Sequence, residues 1–173
     1  MSDSIHWFVV SCASEKEAQR RAEQMLGWLV ERGVVAAQAC PSTGLYPPGA
    51  AAQGYDSGIE FCGVKLVRER TVFHAGDSGL DGLVCPQCRE TAAAEDIAWD
   101  DAVGSWFAGQ DDVTLSCPAC ERASSLHDWQ FLPMPWAFGN LGLGFCNWWL
   151  DEALIQALLK ELGVGVCQVH EHL

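Results

Sequence analysis

The spacing of apolar and polar positions predicts a strand and then a helix in the first part of the chain. Residues 5–10 are a short run of mostly apolar, strand-favouring side chains, which predicts a strand. Residues 15–32 carry apolar side chains at helical intervals. The hydroxyl residue Ser14, with Glu17 three positions later, is typical of a helix start, and Gly33 is typical of the residue that follows a helix.

A second strand–helix–strand pattern lies near the C-terminus. Leu and Phe alternate with Gly over residues 141–145, which predicts a central strand with a closely approaching neighbour. Residues 151–162 predict a helix and residues 164–169 a last strand, while residues 59–73 predict one long strand or a bent pair. The order β-α-β, insert, β-α-β predicts an α+β fold of the ferredoxin-like type, with two helices on a four-stranded sheet. Apart from the symmetry of these two patterns, no internal sequence repeat is evident.

A turn-rich stretch after residue 74 divides the chain. We predict a ferredoxin-like domain formed by residues 1–74 and 134–173, and an inserted zinc-binding module over residues 75–133. Inside the module, the pattern predicts a helix over residues 92–107 and a short strand over residues 113–115.

Two Cys-Pro-x-Cys turns are the most specific motif of the chain. One holds Cys85 and Cys88, the other holds Cys117 and Cys120, and 28 residues lie between them. Four thiolates from two such turns fill the tetrahedral coordination sphere of Zn²⁺ and leave no position for water or substrate. The spacing therefore predicts a structural zinc site. A redox role is the alternative, and it requires a helix that begins at one of the turns.

Over residues 83–122 this arrangement resembles a zinc ribbon. The final segment of the chain looks like that of uncharacterised bacterial proteins. The resemblance implies a small, metal-stabilised module inserted in an α+β protein, and it implies no particular activity. The predicted helix over residues 92–107 stands where most ribbons have a hairpin.

The charge of the chain is acidic and unevenly distributed. The net charge is −13 over 173 residues, and residues 71–173 hold three Lys and Arg against fifteen Asp and Glu. Such a surface repels phosphate backbones and attracts a basic partner, so we expect no nucleic-acid partner. No stretch approaches the roughly 20 apolar residues of a membrane span. Because the N-terminus also lacks a basic leader segment, we expect a cytoplasmic protein without membrane association.

An acidic, tryptophan-containing stretch of the module is the predicted partner-binding surface. It contains no Lys or Arg, and its candidate residues are Asp96, Trp99, Asp100, Asp101, Trp106, Asp111 and Asp112. Carboxylates attract a basic protein, and exposed tryptophans are enriched among residues that dominate binding energy. We expect both tryptophans to be exposed anchors. A solvated face without a partner is the alternative.

These features favour a protein without enzymatic activity, a zinc-stabilised interaction module that binds a basic protein. A bacterial immunity protein that neutralises a basic toxin is one case. One alternative is a small metal- or ligand-handling enzyme, with a site on the open sheet face or around Cys146, His170 and His172. A second alternative is a nucleic-acid-associated zinc-ribbon adaptor, which the acidic charge disfavours. The roles of His170 and His172 stay open.

Overall fold

The computed structural model describes residues 3–76 and 79–172, and these residues form a mixed α+β structure. Its strands, in chain order, are β1 (Ser4–Val10), β2 (Gly63–Val67), β3 (Thr71–Phe73), β4 (Gly82–Val84), β5 (Thr91–Ala93), β6 (Thr114–Ser116), β7 (Ala123–Ser125), β8 (Gln130–Leu132), β9 (Ala137–Gly139), β10 (Leu141–Cys146) and β11 (Cys167–His172). Its α-helices are α1 (Glu15–Glu31), α2 (Trp99–Phe107) and α3 (Glu152–Leu162). Short 3₁₀ turns occupy Ala94–Asp96 and Leu126–Asp128.

The largest sheet has four strands in the order β11-β1-β10-β2, and all neighbouring pairs are antiparallel. Strand β10 is central, as its alternating glycines predicted. A Cβ on Gly144 would lie 2.5 Å from the Trp7 ring, and a Cβ on Gly142 would lie 2.5 Å from the Phe73 ring. The glycines are therefore required by aromatic rings that lie across the strand. The smaller sheets are β3-β9, β5-β4-β8 and β6-β7.

Helices α1 and α3 pack on one face of this sheet. Apolar side chains of both helices and of three strands form one buried cluster, which includes Phe8, Ala22, Leu29, Val64, Leu141, Leu143, Phe145, Leu158 and Leu162. The cap of α1 is as predicted, because the Ser14 hydroxyl accepts a hydrogen bond of 3.2 Å from the Glu17 amide. Gly33 then follows the helix with a φ of +68°, a conformation that glycine adopts without strain.

The opposite face of the sheet is also covered, so the expectation of an open sheet face was wrong. Side chains of β1, β10 and β11 form a second buried cluster there with Leu45, Phe73 and Ala137. Phe73 and Ala137 come from the β3-β9 pair. The covering follows from the chain's bend after β2, because the predicted strand over residues 59–73 is a bent pair whose halves lie in different sheets.

Two predicted elements differ from the structure. The helix expected over residues 92–107 begins only at Trp99, because residues 91–93 pair with β4 as strand β5. The last strand is Cys167–His172 rather than residues 164–169. Gly163 and Gly165 both have positive φ, and Val164 is 98% exposed, so a turn occupies this apolar stretch.

The region predicted as an inserted module contributes a third buried cluster, formed mainly by residues between Leu83 and Phe131. Phe138 of β9 joins this cluster, whereas Phe73 of the paired strand β3 joins the sheet cluster. The division into residues 1–74 with 134–173 and 75–133 stays a prediction. Within the described residues, none of the helices combines the length and the apolar composition that membrane crossing requires.

Candidate metal centre and acidic groove

Each Cys-Pro-x-Cys turn joins the two strands of a short hairpin. In the first hairpin, β4 pairs with β5; the Cys85 amide donates to the Glu90 carbonyl at 2.9 Å, and the Arg89 amide donates to the Cys85 carbonyl at 3.0 Å. Arg89 has a φ of +65°, which lets the chain reverse directly after the second cysteine. The turn therefore holds both sulfurs of a pair on one side of the hairpin end.

The second hairpin repeats this geometry 32 residues later. Strand β6 pairs with β7, the Cys117 amide donates to the Arg122 carbonyl at 3.0 Å, and the Glu121 amide donates to the Cys117 carbonyl at 2.8 Å. Glu121 has a φ of +59°. A 3₁₀ turn follows each hairpin. The module thus contains two copies of one unit, a cysteine hairpin followed by a 3₁₀ turn. The sequence interpretation, which found no internal repeat, was wrong on this point.

The four sulfur atoms lie together where the two hairpin ends meet. The Sγ atoms of Cys85 and Cys120 are 3.9 Å apart, those of Cys88 and Cys117 are 3.7 Å apart, and all four lie within 4.8 Å of one another. Each close pair joins one hairpin to the other. Four sulfurs at about 2.3 Å from a zinc ion in a tetrahedron are about 3.8 Å apart. The four cysteines can therefore hold a metal ion such as zinc.

The ionisation of these thiols also suits a cation. Burial acts to raise the pKa of Cys85, but hydrogen bonds from the Cys88 and Gln87 amides and from neighbouring thiols lower it to about 7. A backbone hydrogen bond from Glu90 acts to lower the pKa of Cys88, but burial and the three neighbouring sulfurs together raise it to about 12. The first of these thiols ionises readily, whereas each further thiolate is repelled by the negative charge already present. A bound divalent cation offsets that repulsion.

The redox alternative required a helix that starts at a turn, and both turns lead into strands instead, β5 and β7. The Cys146 thiol, a candidate in the enzyme alternative, is fully buried beneath the sheet, and burial raises its pKa to about 12. A protonated, buried thiol is a poor nucleophile. In the described ranges, the only cluster of three or more potential metal ligands is the four-cysteine group.

Several of the predicted acidic residues meet in one groove beside the metal centre, which we call the acidic groove. Its rim carries Asp96, Asp101 and Asp112, and its floor includes Ile97 and Val113. The groove has a volume of about 510 Å³, and none of its lining residues is Lys or Arg. A shallower depression that also contains Asp96 is lined by Trp99 and Asp100. Five of the seven predicted residues thus line two neighbouring depressions, which share Asp96, Ile97 and Ala98.

The structure separates the other two predicted residues from the groove. Trp106 is only 3% exposed, so the expectation that it is an exposed anchor was wrong. Arg70, which is distant in sequence, lies over the Trp106 ring at 4.1 Å, donates to the Trp106 carbonyl and forms a 2.7 Å ion pair with Asp111. Asp111 is therefore neutralised by a cation that the local sequence did not contain. The neighbouring Phe107, 61% exposed, is the aromatic side chain that α2 presents to solvent.

The histidines near the C-terminus line a separate cavity between α3 and the edge of the four-stranded sheet. His170 and His172 share a face of β11, as expected, and His6 lies opposite His170 on β1. The His6 and His170 ring centroids are 4.0 Å apart. Burial, and secondarily the charge of His170, lowers the pKa of His6 to about 4. Sequence reasoning missed His6, because only strand pairing brings it beside residues more than 160 positions away.

No protein-family model, curated protein or solved structure matches this chain.

Proposed function

We propose that the protein is a zinc-stabilised interaction protein without catalytic activity, whose acidic groove binds a basic protein. A basic toxin neutralised by this chain is one partner of that chemistry. The observation that carries the proposal is the acidic groove itself, where three carboxylates surround an apolar floor and no cation lines the wall. Such a groove suits Arg and Lys side chains, whose charged heads pair with carboxylates while their stems cover apolar surface.

The proposed architecture is a zinc-ribbon-like module inserted in a ferredoxin-like domain. The sheet order β11-β1-β10-β2 and the two flanking helices support the ferredoxin-like assignment, because the split βαβ arrangement places its first and third strands at the centre. The two cysteine hairpins, with β8 beside β4, support the ribbon-like assignment. The sulfur spacing and the purely thiolate ligand set favour Zn²⁺.

A structural metal gives the groove a rigid wall. Strand β6 leads directly from the groove residues Thr114 and Leu115 into Cys117. On the other side, Asp96 belongs to the 3₁₀ turn that follows the first hairpin. Fixing the hairpin ends to one ion therefore restrains the chain segments that carry Asp96 and Asp112. A preorganised acidic surface loses little conformational entropy on binding and increases the association rate with a basic partner.

The test compares two triple variants with the same change in net charge. The first variant, Asp96→Lys/Asp101→Lys/Asp112→Lys, reverses the charge of the acidic groove. The second, Glu31→Lys/Glu60→Lys/Glu161→Lys, reverses the charge of three exposed side chains outside the groove. The probe is a basic protein that the wild-type chain retains from an extract of its source organism at low salt, identified by mass spectrometry and then purified. We expect the groove variant to associate about tenfold more slowly or worse.

The control variant should slow association by less than about threefold, because its charges lie outside the groove. Equal slowing by both variants would show that only the overall charge matters, and would contradict the proposal. Retention of acidic proteins rather than basic ones would contradict it as well. Metal content and circular dichroism of both variants exclude loss of the fold as the cause.

A further inference from the structure

The cavity beside α3 has the dimensions and lining of a small-molecule site. Its volume is about 500 Å³, within the range of about 300–1,000 Å³ that is usual for ligand pockets. Its apolar wall includes Phe145, Trp148 and Ile155, and it shares no residue with the acidic groove. It is independent of the proposed function, since neither the metal centre nor the partner surface contributes to it. We call it the tryptophan–histidine pocket.

The lining of this pocket includes carboxylate and imidazole groups but no fixed positive charge. No Lys or Arg lines it, and Glu152 at the start of α3 supplies a carboxylate. Desolvation, and secondarily His172, lowers the pKa of His170, as burial does for His6, so these imidazoles are neutral at pH 7. His6 Nε2 lies 3.0 Å from the Gln168 side-chain oxygen, which makes Nε2 the donor and leaves Nδ1 as an acceptor. The pocket therefore offers an imidazole acceptor and the Glu152 carboxylate, while the second glutamate of its lining, Glu171, accepts a hydrogen bond of 2.7 Å from the Trp7 indole.

Trp149 stands at the mouth of the pocket and is 83% exposed. Its backbone amide donates to the Gly54 carbonyl at 2.6 Å. Gly54 has a φ of +76°, and a Cβ there would lie on the Trp149 carbonyl oxygen, so the two segments are in close contact. The adjoining Trp148 indole donates to the Gln53 carbonyl at 2.7 Å. The Trp148 indole and the Trp149 backbone are thus held beside the cavity, and the Trp149 indole is exposed to water, which is unfavourable for an apolar ring.

From this combination we propose that the tryptophan–histidine pocket binds an organic cation, an amine with an aromatic or aliphatic body. The body occupies the apolar wall, the ammonium group donates hydrogen bonds to Glu152 and to the His6 imidazole, and the exposed Trp149 face contributes a cation–π contact. An anionic ligand is disfavoured, because its charge would meet a carboxylate and no cation.

The test uses three probes that share one body and differ in charge. Phenylbutylamine is a cation at pH 7, phenylbutanol is neutral and phenylbutyrate is an anion; each is titrated into the metal-loaded full chain by calorimetry. We expect the amine to bind about tenfold more tightly than the alcohol, and the carboxylate not to bind measurably. Two-dimensional NMR should show shifts of the Trp148 and Trp149 indole signals, whereas the Trp106 indole in the module stays unchanged.

Two variants localise the binding. Glu152→Gln should weaken amine binding about three- to fivefold and leave alcohol binding unchanged, and Trp149→Ala should weaken amine binding by a similar factor. Glu161→Gln removes another exposed carboxylate of α3, one that does not line the pocket, and serves as the matched control. Absence of amine binding at millimolar concentration, preference for phenylbutyrate, or equal effects of Glu152→Gln and Glu161→Gln would each overturn the proposal.

Discussion

The four-stranded sheet and the cysteine hairpins differ in the interactions that stabilise them. The strands of the four-stranded sheet are five to seven residues long and are covered by apolar clusters on both faces. The strands β4, β5, β6, β7 and β8 of the module are three residues each. Short strands bury little apolar area, and small units of this kind usually need a metal or a covalent link. We therefore expect the four-stranded sheet to be stabilised by apolar burial alone, whereas the hairpins, which also have a buried cluster, depend in addition on their thiolates.

The largest expected effect is that of metal removal. Loss of a structural four-thiolate ion removes about 10 kcal/mol of folding free energy from such a module. We expect Cys88→Ser/Cys120→Ser, one ligand from each hairpin, to abolish metal binding. Hydrogen exchange at the Cys85 and Cys117 amides should then accelerate by a factor of about a thousand or more, while β1 and β10 keep most of their protection.

The matched control for this prediction is Cys167→Ser, which changes an exposed cysteine at the start of β11. It should leave both the metal content and the exchange pattern unchanged. Hairpin amides that stay protected in the metal-free protein would contradict the contrast between the two regions.

A core substitution in the four-stranded sheet should lower the stability of the fold and leave metal binding unchanged. Leu143 is 1% exposed in the central strand β10, between the sheet and its helices. Leu143→Ala should lower the free energy of unfolding by about 3 kcal/mol, because it leaves a cavity in a packed cluster. Urea denaturation measures this loss, and the number of metal ions per chain should stay at the wild-type value.

Leu143→Met is the conservative counterpart and should cost less than about 1.5 kcal/mol. If Leu143→Ala lowered the metal content in step with stability, the two regions would unfold as one unit, and the comparison would fail.

The smallest effects concern two glycines that sit in contrasting surroundings. Gly142→Ala would press a methyl group against the Phe73 ring, which covers the second face of the sheet, and should cost about 1–3 kcal/mol. Gly27 lies in α1, and nothing lies within 4 Å of a carbon added there. Because alanine favours the helix over glycine, Gly27→Ala should stabilise the protein by about 0.5–1 kcal/mol. Thermal unfolding of the two variants should therefore shift in opposite directions. Shifts of the same sign would contradict the close packing at Gly142.

Sequence patterns predicted correctly those elements that depend on residues close together in the chain. The capping pair Ser14 and Glu17, the helix ending before Gly33 and the alternating glycines of β10 all follow from neighbours within a few residues. The helix over residues 92–107 was wrong in its first half, since apolar spacing in so short a stretch fits a helix and a hairpin strand equally well. Pairing with β4 decided between them.

The internal repeat was visible in the sequence only as a weak signal. Leu83, Cys85, Pro86, Cys88 and Asp96 recur with the same spacing as Leu115, Cys117, Pro118, Cys120 and Asp128. Aligning the chain with itself at an offset of 32 residues would have detected the repeat and predicted the second hairpin of the pair. Self-alignment could not have shown which of the predicted partner-binding residues are accessible. Arg70 contacts Trp106 and Asp111 only in the folded chain.

Residue types and local spacing were enough to predict the four candidate metal ligands, the mixed α+β class and the acidic charge, because these depend on residue type and on spacing within one turn or one element. The folded chain was needed to show that Trp106 is buried, that Asp96, Asp101 and Asp112 share a groove, and that His6 lies beside His170 near α3. These contacts join residues far apart in the chain. Their free energy comes from burial and pairing, which exist only after the elements have packed.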